Sequence, residues 1–207
     1  MFEKTYLAIM KNTQIIKMMK TEEIILGFPQ NALRLRRLMR SIYACSEELP
    51  NEPLEIFLRK YGKKPKEIDL FVEKMNEIIQ EQGEPNTISL TRKAALKLNQ
   101  LLSMDGETST RGIRIADQSA ACGTGYEYVL ELSNSAHSDD ITFSSQGIYI
   151  YSPSKTINRF LGALIDYDDV VAQDRHFTGL MQLGFSISNP NVKTTCPCGC
   201  SNDYVLK

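Results

Sequence analysis

The apolar residues of this chain change their spacing part-way along it, and that change fixes the fold class before any motif is read. Up to about Gly83 they recur at three- and four-residue intervals. Leu35, Leu38, Met39 and Ile42 fall at i, i+3, i+4 and i+7, one stripe of a helix that starts after the turn-like "FPQN". "EPLEIFLRKYG" predicts a short helix with Pro53 in its first turn and Gly62 as its C-terminal cap. "KPKEIDLFVEKMNEIIQEQG" predicts a longer one, with Ile68, Phe71, Val72, Met75 and Ile79 on one face and Gly83 past its end. Three such helices predict a small bundle. Its basic run, Arg34, Arg36, Arg37 and Arg40, lies opposite or beside the apolar stripe and is expected to form a solvated face. Cys45, near the end of the first helix, is expected to be a small buried apolar residue.

Beyond the Gly-, Pro- and Asn-bearing "EQGEPNTIS" the period shortens, which places a boundary near Pro85. Thr91 caps one more helix through "RKAALKLNQLLSM". Strand-like runs follow in "RGIRIAD", "YEYVLEL", "DITFS" and "GIYIYS"; in the last, Ile148 and Ile150 alternate with Tyr149 and Tyr151. "SPSKTINRFLGA" reads as a short helix, "LIDYD" as a strand, and "FTGLMQLGFSIS" as a strand or a strand pair bent at Gly184. The expectation is an α+β chain: an arm over 1–20, a helical domain over 21–85 and a β-rich domain over 86–207. The first twenty residues lack the apolar core and cleavage site of a secretory signal, and read as an amphipathic arm or as residues upstream of a start at Met18 or Met19.

A formal net charge of -1 argues against bulk attraction to nucleic acid, and no apolar run approaches the length of a membrane span. With no phosphate-binding Gly-rich motif, chemistry has to come from side chains. His137 in "SAHSDD" and His176 in "DRHF" have no recognisable partner and read as surface or structural residues. Asp139 and Asp140 read as a solvated turn before a strand, while Asp168 and Asp169 form a second acidic pair without visible support.

The cysteines are more informative. There are 5, and three crowd into "KTTCPCGCSND" as Cys196, Cys198 and Cys200. An odd number, unevenly placed and without a signal peptide, is a poor disulfide framework, so a reducing, cytoplasmic compartment is expected. Cys196 and Cys198, one residue apart, can offer two sulfurs to one metal, and sulfur-rich ligation suits iron-sulfur clusters, zinc or Cu(I). A closed zinc site usually recruits Cys-x-x-Cys pairs, and the tail has none. The remaining cysteine, Cys122, lies in "SAACGTGYEY" beside Gly123 and Gly125, so only folding can bring it to the tail.

From about Ile88 to Ser201 these features resemble the A-type iron-sulfur carrier family, the HesB, IscA and SufA group. "SLTRKAALKLNQLL" resembles its opening helix, and "GIRI", the Cys122 loop and "YEYVLEL" resemble its first cysteine motif. "LGALIDYDD" and "LGFSISNPNVKTTCPCGCS" resemble its two later segments; Asn189, Pro190, Asn191, Cys196, Cys198 and Gly199 at their mutual offsets are the most specific part. Ala120 and Ala121 stand where the family usually has two glycines, and "CGTGYEY" is one residue longer than usual. Cys200 stands where the family more often has another residue.

The resemblance implies a HesB-like β-rich domain and a carrier rather than an enzyme. Cys122, Cys196 and Cys198 would bind an iron-sulfur cluster of the two-iron or four-iron kind, or mononuclear iron, with Cys200 a candidate additional ligand. Three family-matched cysteines per chain against four ligands per cluster imply a homodimer sharing its site. The implied partners are a cluster-donating scaffold and recipient apoproteins, with neither nucleic acid nor membrane. Mononuclear iron delivery and a zinc-binding interaction module are the alternative functions.

Overall fold

The shift of period becomes a shift from helix to sheet. The computed structural model describes residues 14–42, 49–103, 110–120, 123, 125–169, 178–196 and 201–205. Helices α1 (Thr21–Gly27), α2 (Ala32–Arg40), α3 (Leu54–Lys60) and α4 (Pro65–Gln80) come first. α1 and α4 start the same way: a glutamate one turn in reaches back, Glu23 Oε2 accepting from Lys20 N–H and Glu67 Oε2 from Lys64 N–H, each at 2.9 Å. α3 ends at Gly62, whose φ of 79° suits glycine. Ile24, Leu35, Met39, Phe57, Ile68 and Met75 are fully buried in one apolar cluster. Removing each such side chain from water contributes about 1.5–3 kcal/mol. Ile15 belongs to the same cluster, its backbone clasped by Asn76, which accepts from Ile15 N–H at 2.8 Å and donates to Ile15 O at 2.9 Å.

The basic run of α2 contradicts the expected solvated face. Arg34, Arg36, Arg37 and Arg40 are all buried, none more than 9% exposed. The reason is a second layer on the far side of the helix. Arg34 donates to Glu81 at 2.6 Å, to Asp166 at 2.7 Å and to Ser188 Oγ at 3.3 Å, while Arg37 donates to the Met181 carbonyl. Asn31 Nδ2 joins the same seam, donating to Ile78 O at 2.9 Å and Ser188 Oγ at 3.2 Å. A buried guanidinium is tolerable where several acceptors replace its water.

That second layer is sheet. A three-stranded sheet runs β1–β6–β7, with β1 (Ser89–Leu90) parallel to β6 (Leu164–Tyr167) and β7 (Phe185–Ser188) antiparallel to it. A six-stranded sheet runs β4–β5–β2–β3–β9–β8, built from β2 (Gly112–Ser119), β3 (Tyr126–Ser133), β4 (Asp140–Ser145), β5 (Ile148–Pro153), β8 (Val192–Thr195) and β9 (Asn202–Tyr204). Helix α5 (Arg92–Ser103) begins as expected, Thr91 Oγ1 accepting from Ala94 N–H at 3.2 Å. Leu98, Ile113, Leu130, Ile150, Phe160 and Ile165 share the second apolar core.

Local expectations fail in three further places. "SPSKTINRFLGA" forms only a 3-10 turn, Ile157–Arg159. "FTGLMQLGFSIS" is a 3-10 turn, Gly179–Leu183, that reverses at Gly184 before β7. Gly184 has φ 112°, and a Cβ there would lie 2.3 Å from Asp168 O, so only glycine fits. Asp140 lies in no solvated turn: its side chain is buried against Arg114 as an ion pair. Cys45 and His176 lie outside the described residues.

Candidate functional site

The described flanks of the cysteine-bearing tail are strands. β8 leads to Cys196 and β9 leaves from Ser201, and the two strands pair antiparallel, Thr195 opposite Asn202. Cys196 is half-buried. Its N–H donates to Ser201 O at 3.0 Å, and Ser201 N–H donates to its Sγ at 3.4 Å. An amide directed at sulfur favours the thiolate and, in cluster proteins, helps to set the reduction potential. Cys122, Cys198 and Cys200 lie outside the described residues, but their flanks do not.

Those flanks meet. Ala120 N–H donates to Gly125 O at 3.1 Å and Gly123 N–H to Ala120 O at 3.0 Å, closing the end of the β2–β3 hairpin. β9 then adds to β3 with Tyr126 opposite Asn202. At Gly125, φ is 70° and a Cβ would lie 2.8 Å from Asn202 O. The glycine in "CGTGYEY" therefore permits the close approach of the Cys122 hairpin to the strand that follows the tail cysteines. The described boundaries of the two cysteine segments, 74 positions apart at Cys122 and Cys196, thus share one end of the six-stranded sheet.

The "NPN" turn aims β8 at that end. Asn189 and Asn191 are buried, and their side-chain amides hold the turn. Asn189 Oδ1 accepts from Asn191 N–H at 2.9 Å, Asn189 Nδ2 donates to Arg159 O at 2.7 Å, and Asn191 Nδ2 donates to Leu161 O at 2.7 Å. The helical layer touches the same turn, Asn189 N–H donating to Gln30 O at 2.8 Å. Buried amides satisfied in this way fix a turn that apolar packing alone would leave soft.

Beside the turn stands an aromatic and charged group that no local sequence pattern announced. Arg159 pairs with Asp117 at 2.8 Å and lies over the rings of Tyr126 at 4.2 Å and Tyr204 at 5.6 Å. The Asp117 hydrogen bond, ahead of an opposing burial effect, raises the Arg159 pKa still further. Burial pushes the phenols of Tyr128 and Tyr204 far above their ordinary value, so both stay neutral at any working pH. The other sequence candidates are committed elsewhere. His137 is an exposed turn residue whose N–H donates to Asp140, Asp168 pairs with Lys74 at 3.6 Å, and Asp169 accepts from Tyr167 Oη at 2.9 Å. Among the described residues no group of three His, Cys, Asp or Glu side chains could hold a metal ion, and no helix is long and apolar enough to cross a membrane.

The described flanks of two cysteine segments therefore lie at one sheet end, next to a turn whose Asn189 and Asn191 are buried. No family model matches the chain. The heterocyst HesB protein of Trichormus variabilis is 31% identical over 116 residues, covering 55% of this chain and 86% of that protein. The iron-sulfur cluster insertion protein ErpA of Francisella tularensis subsp. novicida is 30% identical over 127 residues, covering 61% of this chain and 97% of that protein. Among solved structures, IscA with the [2Fe-2S] cluster covers 58% of this chain and all of its own at 26% identity and a TM-score of 0.45. SufA of Escherichia coli covers 58% and 95% at 23% identity and a TM-score of 0.43. The chain belongs to the HesB and ErpA family of A-type iron-sulfur carriers.

Proposed function

We propose that this protein carries an iron-sulfur cluster as cargo on the thiolates of Cys122, Cys196 and Cys198 and passes it to apoproteins. The observation that carries this reading is the antiparallel contact of Tyr126 with Asn202, which draws the flanks of the Cys122 hairpin and of the tail to one sheet end. Soft thiolate donors suit the cargo, and the amide directed at Cys196 Sγ suits an anionic sulfur. The paired cysteine segments support a carrier rather than an enzyme. Its relatives' roles agree, ErpA being described as a cluster insertion protein.

Three cysteines leave a four-ligand cluster one short, which favours a homodimer in which each copy contributes to a shared site, with Cys200 as a reserve ligand. The thiols call for a reducing, cytoplasmic setting. Residues 21–85 form a helical unit seated on a HesB-like carrier unit over 86–207; the separate apolar clusters of the two regions support that division. Docking of recipient apoproteins is the role we assign to the helical unit.

Anaerobic reconstitution with iron and sulfide tests the site. The wild-type protein should develop visible charge-transfer absorption, contain acid-labile sulfide, run as a dimer and load an apo-ferredoxin. Cys122→Ser and Cys196→Ser should each abolish the absorption; unchanged spectra in both would overturn the site. Iron without labile sulfide would favour mononuclear delivery, and retained zinc with no cluster would favour an interaction module.

A further inference from the structure

Arg159 touches every chain segment that frames the candidate site. Its guanidinium binds Asp117 near the end of β2, covers Tyr126 at the start of β3 and Tyr204 in β9, and its carbonyl accepts from Asn189 at 2.7 Å and Asn191 at 3.3 Å in the turn before β8. Cys122 lies between the first two of these segments, and the three tail cysteines between the last two. The Asp117 side chain is 4% exposed and that of Arg159 22%, so the carboxylate is spent on the pair while the guanidinium keeps one side toward the surface. Phe160, next to the 3-10 turn that carries the 159 carbonyl, packs on both Tyr128 and Tyr204, the latter a ring that the guanidinium also covers.

We infer that Arg159 is a positioning residue of the cluster site: it ties the Cys122 hairpin to the Cys196–Cys200 tail and lends a permanent positive charge to the end of the sheet where an anionic thiolate-bound cluster would sit. The inference rests on the proposed carrier function for its electrostatic half and on the structure alone for its mechanical half. A guanidinium does both tasks because its planar fork holds a carboxylate while its face stacks on aromatic rings. Lysine offers charge without the fork, and glutamine offers neither.

Three variants of the full chain separate these roles. After anaerobic reconstitution, Arg159→Gln should move the cluster midpoint potential negative, because a cation that favours the reduced, more anionic state is gone; Asp117→Asn should move it positive. Arg159→Lys should keep the potential near wild type. Both Arg159 variants should lose iron to a chelator such as bipyridine at least tenfold faster than wild type. A role in folding alone would lower the melting temperature without shifts of opposite sign in the two charge variants. Potentials unchanged in Arg159→Gln and Asp117→Asn, or chelation rates equal to wild type, would overturn the inference. Amide hydrogen exchange of the cluster-free protein supplies an independent arm. Arg159→Lys should speed exchange at Tyr126, Asn191 and Asn202 while leaving α4 unchanged, and unaltered exchange there would remove the mechanical half. If wild-type protein takes up no cluster, the carrier function fails, while the exchange result still decides whether Arg159 ties the segments.

Discussion

Two arginines, Arg34 and Arg159, sit at two seams of the molecule and are housed in opposite ways. Arg34, between the helices and the three-stranded sheet, is 5% exposed and faces two carboxylates and a serine. Arg159, at the cysteine end of the six-stranded sheet, is 22% exposed, faces one carboxylate and lies over two tyrosine rings. The first seam is closed: its guanidinium is buried and its geometry is set by hydrogen bonds from distant parts of the chain. The second keeps part of a cation near the surface. The closed seam makes a rigid body, and the partly exposed cation is confined to the end of the sheet that the cysteine segments flank.

The comparison can be broken, most severely at the closed seam. Arg34→Ala takes the buried guanidinium away from Glu81, Asp166 and Ser188, leaving Asp166 to Thr91 Oγ1 and Ser188 to Asn31 Nδ2, and should cost about 3–5 kcal/mol, read as a lowered urea midpoint. It should also split a single unfolding transition in two, followed by far-ultraviolet circular dichroism and tyrosine fluorescence, because α1 to α4 and the sheets bury most of their apolar side chains in two separate clusters, Leu33 being the exception. A loss below 1 kcal/mol with one transition retained would mean that apolar contact, not the polar seam, joins the layers.

The next effect lies at the loading end. Asn189→Ala removes a donor to the part-buried Arg159 O and a buried acceptor for Asn191 N–H, and should cost about 2 kcal/mol. The same change should slow cluster uptake, since β8 then enters the site from a loosened turn. Unaltered uptake with a full stability loss would make the turn a purely structural element. The smallest effect serves as the reference for a solvated arginine. Arg59 pairs with Glu55 one helical turn away on the surface of α3, with 54% of its side chain exposed. Arg59→Ala should change stability by only about 0.3–0.5 kcal/mol, and less in high salt.

Where sequence reasoning worked, the cause was local. Helices α2, α3 and α4 follow from three- and four-residue apolar spacing, the start of α5 from Thr91, and the end of α3 from Gly62, since each depends on atoms within a turn of the residue concerned; α1 was not foreseen. Where it failed, the partner was remote. The α2 arginines read as solvated because Asp166, Met181 and Ser188 lie more than 130 positions away. Asp140 read as a turn carboxylate because Arg114 is on another strand, and Gly184 read as a bend within strand because the carbonyl it avoids belongs to Asp168. Arg159 carried no local signal: a single basic residue in "TINRFLGA" gives no hint of two rings and a carboxylate on three strands.

By itself, the sequence determined the switch from helix to sheet and the capping of individual elements. These are matters of composition and short spacing, which the chain carries wherever it folds. Only the tertiary structure decided that the basic face of α2 would be buried, that β9 would add to β3 beside the Cys122 hairpin, and that Arg159 would stand over Tyr126 and Tyr204. The physical reason is desolvation. A charge or an amide becomes tolerable away from water only when its partners arrive from elsewhere in the chain, and their arrival is a property of the packed molecule.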